Sequence, residues 1–379
     1  MAGYLEYKLG DLCKRFSSGK GITAETIYDT GDYPVIGGNG LRGYTDSYNF
    51  DGECAVIGRQ GAYCGNVKYF SGKGYMTEHA VVAEPNEKCN AKYLTYKLSG
   101  LQLGRFSGQA AQPGLSVTKL ARLRIEMPTR QYQDRVSSVL SAYDNLIELN
   151  NKRIKILEQM AENLYKEWFV RFRFPGHESA EFENGIPKGW KYCTVESLSN
   201  VCQRGISPDY DDAGELTVIS QKCIRQNIMD ISEARKHTKA FKPELNLVDG
   251  DTVICSTGTG TLGRVGQVYG DYPDTTFDSH VTLVRAKAGI GKHFLYWALK
   301  EMQPWFMNMG IGSTNQQELY RGTIKNAKVL KPADCLISQF DQVLEPIHSS
   351  IISLIKSQEN LVRQRDLLLP RLMSGKLEV

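Results

Sequence analysis

A single apolar stripe with a seven-residue repeat constrains the fold of this chain more than any other feature of its sequence. The stripe runs from Val136 to Trp168 in alternating steps of four and three residues, and Asn150 is its polar member. No Pro or Gly occurs between Gln131 and Arg173. This pattern predicts one long helix with a narrow coiled-coil face. About 40 residues at 1.5 Å each make a rod of roughly 60 Å, and its apolar face needs a partner.

A second stripe with the same spacing supplies that partner. It begins at Phe340, 204 positions after Val136, and ends at Leu372, with Gln358 as a polar member. We expect the two helices to pair antiparallel. Asn150 and Gln358 either set the register of the pair or face solvent. The predicted seam of the pair consists of Leu140, Tyr143, Ile147, Asn150, Ile154, Leu157, Leu164, Ile347, Ile351, Leu354, Gln358 and Leu361.

The regions before the two helices also repeat. Both contain short strand-like runs separated by Gly, Asn, Asp and Ser, the residues that turns require. Residues 51–57 resemble residues 249–255, and His79 matches His280 in the same order along the chain. The repeat extends through the helices, although Pro346 inside the second stripe is expected to kink or restart that helix.

The predicted fold class is therefore α+β. It comprises two repeated β-rich α/β domains, separated by two long antiparallel coiled-coil helices and related by a pseudo-two-fold axis. The predicted boundaries are 1–129 for domain 1, 130–172 for helix 1, 173–188 for a connector, 189–332 for domain 2, 333–373 for helix 2 and 374–379 for a C-terminal tail.

Composition narrows the function classes. No apolar run reaches about 18 residues, so we expect no membrane span, and the N-terminal stretch lacks the pattern of a signal peptide. The nine Cys form no C-x-x-C pair, which is typical of reduced thiols in a cytoplasmic protein. The net charge of +4 permits nucleic-acid binding without arguing for it.

No catalytic constellation or metal-ligand cluster is evident, so we expect no catalytic and no metal site. Residues 38–43 and 258–263 match G-x-G-x-x-G. A dinucleotide site requires a helix directly afterwards, whereas residues 264–269 alternate as a strand does, so both motifs are interpreted as loops between strands. The matched positions of His79 and His280 favour a framework role over catalysis.

The loops carry side chains that suit nucleic-acid recognition. Arg, Gln and Asn read purine edges, while Lys, Ser and Thr hold phosphates. Solvated loops are the alternative for any single residue. The candidate DNA-binding residues are Arg42, Tyr44, Arg59, Gln60, Tyr63, Lys68, Gln109, Gln112, Ser116, Thr118, Lys119, Arg204, Lys222, Arg225, Thr257, Thr259, Arg264, Ser313, Thr314, Asn315 and Gln316.

Three strings carry a family resemblance. They are LYKEWFVRFRFPG at residues 164–176, the Gly-Trp pair at 189–190, and LLPRLMSGKL at 368–377. With the duplicated layout, they make the chain resemble, end to end, the specificity subunits of type I restriction–modification systems. The loop residues are not part of the resemblance, because that family varies them to change the DNA sequence it reads.

The resemblance implies two target-recognition domains on double-stranded DNA, each reading half of a bipartite, non-palindromic site. The paired helices would act as a spacer and as the dock for two methyltransferase subunits, and restriction/motor subunits would join them. S-adenosylmethionine, ATP and Mg would bind to those partners, and this chain would be non-catalytic with no cofactor of its own. The alternative function is a tandem-domain coiled-coil scaffold for protein interactions without DNA specificity.

The residues beside the seam leave two interpretations open. They either contact the methyltransferase or pack against the domains of this chain. The six residues in question are Tyr132, Val139, Leu146, Ile156, Met160 and Tyr165.

Overall fold

The chain forms two compact units. The computed structural model describes residues 3–108, 114–225, 227–258, 260–312 and 317–379. Unit 1 consists of Met1–Leu149 together with Gln358–Val379, and unit 2 consists of Asn150–Ser357. Unit 1 is therefore assembled from two separate stretches of chain, whereas unit 2 is a single continuous stretch.

Unit 1 is built on a six-stranded sheet in the order β2-β7-β5-β6-β3-β4, with β1 and β8 paired separately. All neighbouring strands are antiparallel except β3 and β6, which run parallel. Its elements before the long helix are β1 (Leu5–Lys8), β2 (Cys13–Ser18), β3 (Tyr33–Gly37), β4 (Gly40–Thr45), β5 (Phe50–Gly58), β6 (Val67–Met76), β7 (Ala80–Pro85), α1 (Ala91–Gly100), α2 (Val117–Ala121) and β8 (Arg124–Met127).

The sheet of unit 1 is covered by α1, whose start is fixed by a side-chain cap. The Asn90 Oδ1 atom accepts a hydrogen bond from the Tyr93 backbone N–H at 3.0 Å, as an N-cap residue does. The hydroxyl of Ser137 also donates to this Oδ1 atom at 3.0 Å. Tyr93 and Leu98 on α1 are fully buried in the core. The cap and the buried face together fix α1 on the sheet.

Unit 2 repeats this arrangement with shorter strands. One sheet has the order β12-β18-β15-β16 and another the order β14-β13-β17. Its elements before the second long helix are β9 (Phe182–Glu183), β10 (Ile186–Pro187), β11 (Lys191–Thr194), α4 (Val195–Leu198), β12 (Ser199–Arg204), β13 (Leu216–Ile219), β14 (Arg235–His237), β15 (Thr252–Cys255), β16 (Val265–Gln267), β17 (Thr275–Phe277), β18 (Val281–Ala286), α5 (Lys292–Glu301), α6 (Gln303–Asn308), α7 (Arg321–Asn326) and β19 (Lys328–Lys331).

The two strand orders coincide once β6 is matched to both β16 and β17. In unit 1, β6 pairs with β5 through its first part and runs parallel to β3 through its last part. In unit 2, β16 pairs with β15 and β17 runs parallel to β13. The duplicated α+β fold predicted from the sequence is confirmed.

Each unit contains part of both long helices, α3 (Arg130–Tyr165) and α8 (Asp334–Met373). In unit 1, the Tyr132 hydroxyl donates to the Leu372 carbonyl at 3.1 Å, and Arg365 Nη1 donates to Asp144 Oδ1 at 2.8 Å. From the first of these contacts to the second, the residue number rises on α3, from 132 to 144, and falls on α8, from 372 to 365. Unit 2 shows the same order, since Asn150 lies beside Ser357, and Ile154 and Ile351 share one apolar cluster. The predicted antiparallel pairing is confirmed.

Of the two outcomes expected at Pro346, a kink or a restart of the second helix, the restart is wrong. Helix α8 continues through Pro346 without interruption. Proline removes one backbone N–H and crowds the carbonyl four residues earlier, here that of Gln342. Pro346 and Gln342 both lie on the exposed side of α8, where water can satisfy the freed carbonyl. Leu344 and Ile351, each 2% exposed, hold the opposite face in the core.

Helix α3 changes its winding at its end. A π-helical turn, Lys166–Val170, follows Tyr165. It places the Phe169 ring 4.9 Å from the Phe340 ring and 5.1 Å from the Phe294 ring. This aromatic cluster joins the end of α3, the start of α8 and helix α5 within unit 2.

The predictions for membrane segments and cysteines can be compared with the structure. Within the described ranges, no helix is both long and apolar enough to cross a bilayer. All nine cysteines lie in these ranges, and every one of them is unpaired. The absence of disulfides agrees with the reduced thiols expected from the sequence.

Candidate nucleic-acid interface

The loops that carry the predicted DNA-binding residues of unit 1 meet where β5 ends. The Arg59 N–H donates to the His79 carbonyl at 2.9 Å, and the Arg59 carbonyl accepts from the Leu115 N–H at 2.9 Å. Gly58 lies so close to Gly38 that an added Cβ would be 2.5 Å from the Gly38 carbonyl oxygen. The segments after β3, β5 and β6 and the segment before α2 therefore converge on one edge of the sheet.

Unit 2 contains the same pair of backbone links. The Ser256 N–H donates to the His280 carbonyl at 2.8 Å, and the Ser256 carbonyl accepts from the Leu319 N–H at 2.8 Å. Ser256 is therefore the structural counterpart of Arg59, as His280 is of His79. In both units the histidine contributes its carbonyl to the framework, as its matched position suggested.

A matched glycine holds a neighbouring loop in each unit. The Gly19 N–H donates to the Ala80 carbonyl at 3.0 Å, and the Gly205 N–H donates to the Val281 carbonyl at 3.1 Å. An added Cβ would lie 2.0 Å from the nearest carbonyl oxygen at Gly19 and 1.9 Å from that of Phe277 at Gly205. Only glycine fits at these positions, because the backbones approach too closely for a side chain.

The structure places both G-x-G-x-x-G motifs between strands, as predicted. The first lies around the β3–β4 turn, where Gly37 pairs with Gly40. The second lies between β15 and β16, with Gly258 and Gly263 both at positive φ. Neither motif precedes a helix that could bind a pyrophosphate.

The predicted residues of unit 1 lie in these loops or on adjoining strands. Arg59 is half-buried, and its Nη1 lies 3.4 Å from the Ser18 hydroxyl. The Lys68 ammonium donates to the Asn39 carbonyl at 2.7 Å, and Ser116 caps α2. Tyr44 is half-buried, and the exposed candidates are Arg42, Gln60, Tyr63, Lys68, Ser116, Thr118 and Lys119. Gln109 and Gln112 lie outside the described residues.

The predicted residues of unit 2 are more strongly engaged. Arg204 forms an ion pair with Glu318 and donates to the Leu319 carbonyl at 2.6 Å. The Thr257 hydroxyl is 2.6 Å from His280 Nδ1. Lys222 and Arg225 are exposed, Arg225 pairs with Glu233 at 2.9 Å, and Arg264 is half-buried. Thr259, Ser313, Thr314, Asn315 and Gln316 lie outside the described residues.

Sequence reasoning missed two members of this edge, Ser18 and Glu318. Ser18 contacts Arg59, and Glu318 neutralises Arg204. Neither has a distinctive sequence signal, since a lone Ser or Glu in a loop is normally solvated. Aligning β2 with β12 residue by residue would have placed Ser18 opposite Arg204 and drawn attention to that position.

The thiols near these loops are poor nucleophiles. Burial raises the pKa of Cys54 to about 12 and that of Cys255 to about 12. Both are therefore protonated at neutral pH. Among the described residues, no group of three or more His, Cys, Asp or Glu side chains is arranged to hold a metal ion.

The seam of the helix pair is buried or half-buried throughout. Leu140, Asn150, Ile154 and Ile351 are buried. Tyr143, Ile147, Leu157, Leu164, Ile347, Leu354, Gln358 and Leu361 are half-buried. The Asn150 amide donates to the hydroxyl of Ser357 at 3.4 Å.

The residues beside the seam divide into two groups. Tyr132 and Tyr165 are 3% and 7% exposed and pack within their own units, while Val139 is half-buried. Leu146, Ile156 and Met160 remain exposed on the outer face of α3. In unit 2, Ile156 also lines a groove of about 570 Å³ between α3 and α8. Exposed apolar side chains along a helix are typical of a surface that binds another protein.

Comparison with known proteins gives this arrangement a context. Residues 1–159 match the family described as "Type I restriction modification DNA specificity domain". The chain is 35% identical over 159 residues to the EcoprrI specificity subunit of Escherichia coli, covering 41% of this chain and 39% of that protein. It is 27% identical over 312 residues to the MjaIX specificity subunit of Methanocaldococcus jannaschii, covering 78% of this chain and 71% of that protein.

A solved structure extends the likeness of fold over nearly the whole chain. The type I restriction–modification S subunit from M. genitalium superposes with a TM-score of 0.62 at 16% identity, covering 98% of this chain and 96% of that one. The family match lies in the region that precedes and enters α3. Residues 1–159 are therefore similar to the type I restriction–modification DNA specificity domain, and the chain is similar to type I specificity subunits over as much as 78% of its length.

Proposed function

We propose that this chain is the sequence-specific DNA-binding subunit of a type I restriction–modification complex, and that it recognises a bipartite, non-palindromic site on double-stranded DNA. The observation that carries the proposal is the duplicated loop edge. The same framework links recur in both units, while the side chains that the two edges present differ. Two readers with different loops would read two different half-sites, and their target would not be a palindrome.

The long helices take the role of a spacer in this proposal. Helices α3 and α8 contain 36 and 40 residues, and each has residues in both units. At 1.5 Å per residue they are about 54 and 60 Å long, which exceeds the roughly 34 Å of one turn of DNA. A fixed helix length would then fix the number of unspecified bases between the half-sites.

Two methyltransferase subunits and the restriction/motor subunits are the proposed partners. The exposed side chains of Leu146, Ile156 and Met160 support a protein-binding role for the outer face of α3. Methyl transfer, ATP hydrolysis and cleavage belong to these partners in the proposal, as do S-adenosylmethionine, ATP and Mg. The chain itself acts without catalysis, in the cytoplasm where its DNA is found.

Mapping methylated positions in DNA from cells that carry this chain and its methyltransferase tests the proposal. We expect two short sequences separated by a constant number of unspecified bases. A single contiguous site, or a palindrome, would contradict the bipartite claim. Cells that carry the methyltransferase alone provide the control, and their DNA should lack the modification.

The spacer role has its own test. Inserting one heptad into α3 and one into α8 at facing positions should lengthen the unspecified gap or abolish binding. A matched pair of seven-residue substitutions on the exposed faces controls for general damage to the helices. An unchanged gap in the longer protein would rule out a spacer of fixed length.

The alternative, a protein-interaction scaffold without DNA specificity, rests on the same exposed helix face. Titration of the assembled complex with DNA at several salt concentrations separates the two functions. For a protein that binds DNA phosphates, the logarithm of the association constant falls linearly with the logarithm of the salt concentration. A scaffold without DNA specificity should show no DNA binding at any of these salt concentrations.

A further inference from the structure

Equivalent positions in the two units carry exchanged residues. In unit 1, Ser18 ends β2 and pairs with Val81, and in unit 2, Arg204 ends β12 and pairs with Thr282. The glycines that follow make matching bonds to β7 and β18, so Ser18 and Arg204 are structural counterparts. Arg59 and Ser256 are counterparts as well, through the two backbone links described above. Each unit therefore has one arginine at this junction, and the two arginines come from different strands.

The arginine of unit 2 is committed to its own protein. The Arg204 side chain is only 14% exposed and forms an ion pair with Glu318. Its Nη2 donates to the Leu319 carbonyl at 2.6 Å. The Leu319 N–H in turn donates to the Ser256 carbonyl. The Arg204 guanidinium thus joins Glu318 and Leu319 to the end of β12, and the backbone of Leu319 is bonded to Ser256, which follows β15.

That segment begins with a closed base. The Ile311 N–H donates to the Glu318 carbonyl at 3.0 Å, and the Glu318 N–H donates to the Ile311 carbonyl at 3.0 Å. The chain between these two residues includes four of the predicted DNA-binding positions, 313–316. The Arg204–Glu318 pair therefore fixes a described residue that lies two positions after these candidates in the sequence.

The arginine of unit 1 is in a different situation. Its one side-chain hydrogen bond within the described ranges is the long contact of 3.4 Å to the Ser18 hydroxyl, and no ion pair involves Arg59 there. A guanidinium without a carboxylate partner remains available for a phosphate or a purine edge. Arg204 is mostly buried and can make such a contact only by giving up its ion pair with Glu318 and its bond to the Leu319 carbonyl.

We propose that Arg204 is a positioning residue that holds Glu318 and Leu319, the segment before α7, at the loop edge of unit 2 and does not itself contact DNA. The half-site read by unit 2 then depends on the charge pair and not on the arginine alone. This inference rests on the proposed function, because it concerns how one of the two half-sites is read.

A charge reversal tests the inference in the assembled complex with the methyltransferase. Base preferences at both half-sites are measured by methylation of a randomised DNA library. We expect Arg204→Glu and Glu318→Arg each to reduce discrimination at one half-site by about tenfold or more, the range of a lost specific contact. The double variant should recover part of it, since the ion pair is rebuilt with opposite polarity while the hydrogen bond to the Leu319 carbonyl is not.

The other half-site and a matched variant serve as internal controls. Both single variants and the double variant should leave the second half-site unchanged. Arg59→Glu should alter only that second half-site, and it thereby identifies which half belongs to unit 1. Where a reversed variant fails to fold, Glu318→Gln keeps the test open. It should loosen the same half-site while the urea midpoint measured by tryptophan emission is unchanged.

Two results would overturn the inference. One is a double variant no better than Arg204→Glu, which means that the arginine itself binds DNA. The other is a Glu318→Arg or Glu318→Gln variant with normal discrimination. Failure of the proposed function is recognised separately, because the unaltered complex would then show no two-part sequence preference at all.

Discussion

Replacing Phe169 with alanine should destabilise unit 2 strongly. The side chain is 6% exposed, and its ring lies 4.9 Å from Phe340, 5.1 Å from Phe294, 5.2 Å from Tyr165 and 5.9 Å from Trp190. Removing a buried Phe costs about 3–5 kcal/mol in transfer and cavity terms. With Trp168 at 6.1 Å, Phe169 has five ring partners, and the cluster joins three helical segments, so we expect a loss of about 4 kcal/mol.

Urea denaturation followed by tryptophan emission measures this loss selectively. All four tryptophans, Trp168, Trp190, Trp297 and Trp305, belong to unit 2, so the emission reports that unit. With a denaturant slope of about 3 kcal/mol per M, a loss of about 4 kcal/mol lowers the midpoint by more than 1 M. Circular dichroism at 222 nm follows the helices of both units in the same samples.

The matched control is Val170→Ala at the next position of the same π-helical turn. Val170 is 47% exposed, so its truncation should change the free energy of unfolding by less than about 0.5 kcal/mol. If Phe169→Ala shifts the midpoint no more than this control does, the aromatic cluster is not what holds the end of α3 in unit 2.

Three further perturbations have defined outcomes. Burial lowers the pKa of His293 from 6.5 to about 4 in the folded protein. The stability that neutral His293 provides is therefore complete above pH 6.5 and is lost as the pH falls toward 4, by up to about 3 kcal/mol. Urea midpoints measured across that pH range should fall more steeply in the unaltered protein than in His293→Gln. Gly205→Ala should lower the thermal midpoint markedly, because its Cβ would lie 1.9 Å from the Phe277 carbonyl oxygen. Gly322→Ala in helix α7, where the nearest neighbour of the new Cβ is 3.9 Å away, should be neutral or slightly stabilising. Equal effects of the two substitutions would contradict the close approach at Gly205. Asn150→Leu should stabilise the chain by about 1 kcal/mol in urea denaturation, because Asn150 is a buried polar seam residue whose hydrogen bond to Ser357 is long, at 3.4 Å. A loss of stability would instead show that this hydrogen bond stabilises the helix pair.

The long-range pattern of the fold could be predicted because it depends on periodicity. Heptad spacing identified both long helices and their antiparallel pairing, and the repeated strand runs identified the duplicated sheet. Pro346 was misinterpreted because local propensity was given more weight than the packing of Leu344 and Ile351 on either side of it. A helix with a buried face on both sides of a proline can tolerate one lost hydrogen bond.

The loop edge was predictable as a region and not residue by residue. The described candidates of unit 1 lie in the loops that converge where β5 ends or on adjoining strands. The pairing of Arg204 with Glu318 depends on two segments that are 114 residues apart and meet only through the sheet. No sequence spacing encodes such a contact. The sequence alone therefore cannot distinguish an arginine that forms an ion pair within its own protein from one that is available to bind DNA.

The division of unit 1 into two stretches of chain affects the order in which the protein can form during synthesis. Unit 2 ends at Ser357, so all of its residues are synthesised before the C-terminal stretch of unit 1, Gln358–Val379. Leu372, fully buried in the core of unit 1, belongs to that last stretch. The N-terminal stretch of unit 1, Met1–Leu149, is thus made first, but the part of α3 within it keeps its apolar face exposed until Gln358–Val379 has been made. A stop codon between those of Ser357 and Leu372 would therefore damage unit 1, although most of its residues are encoded before unit 2.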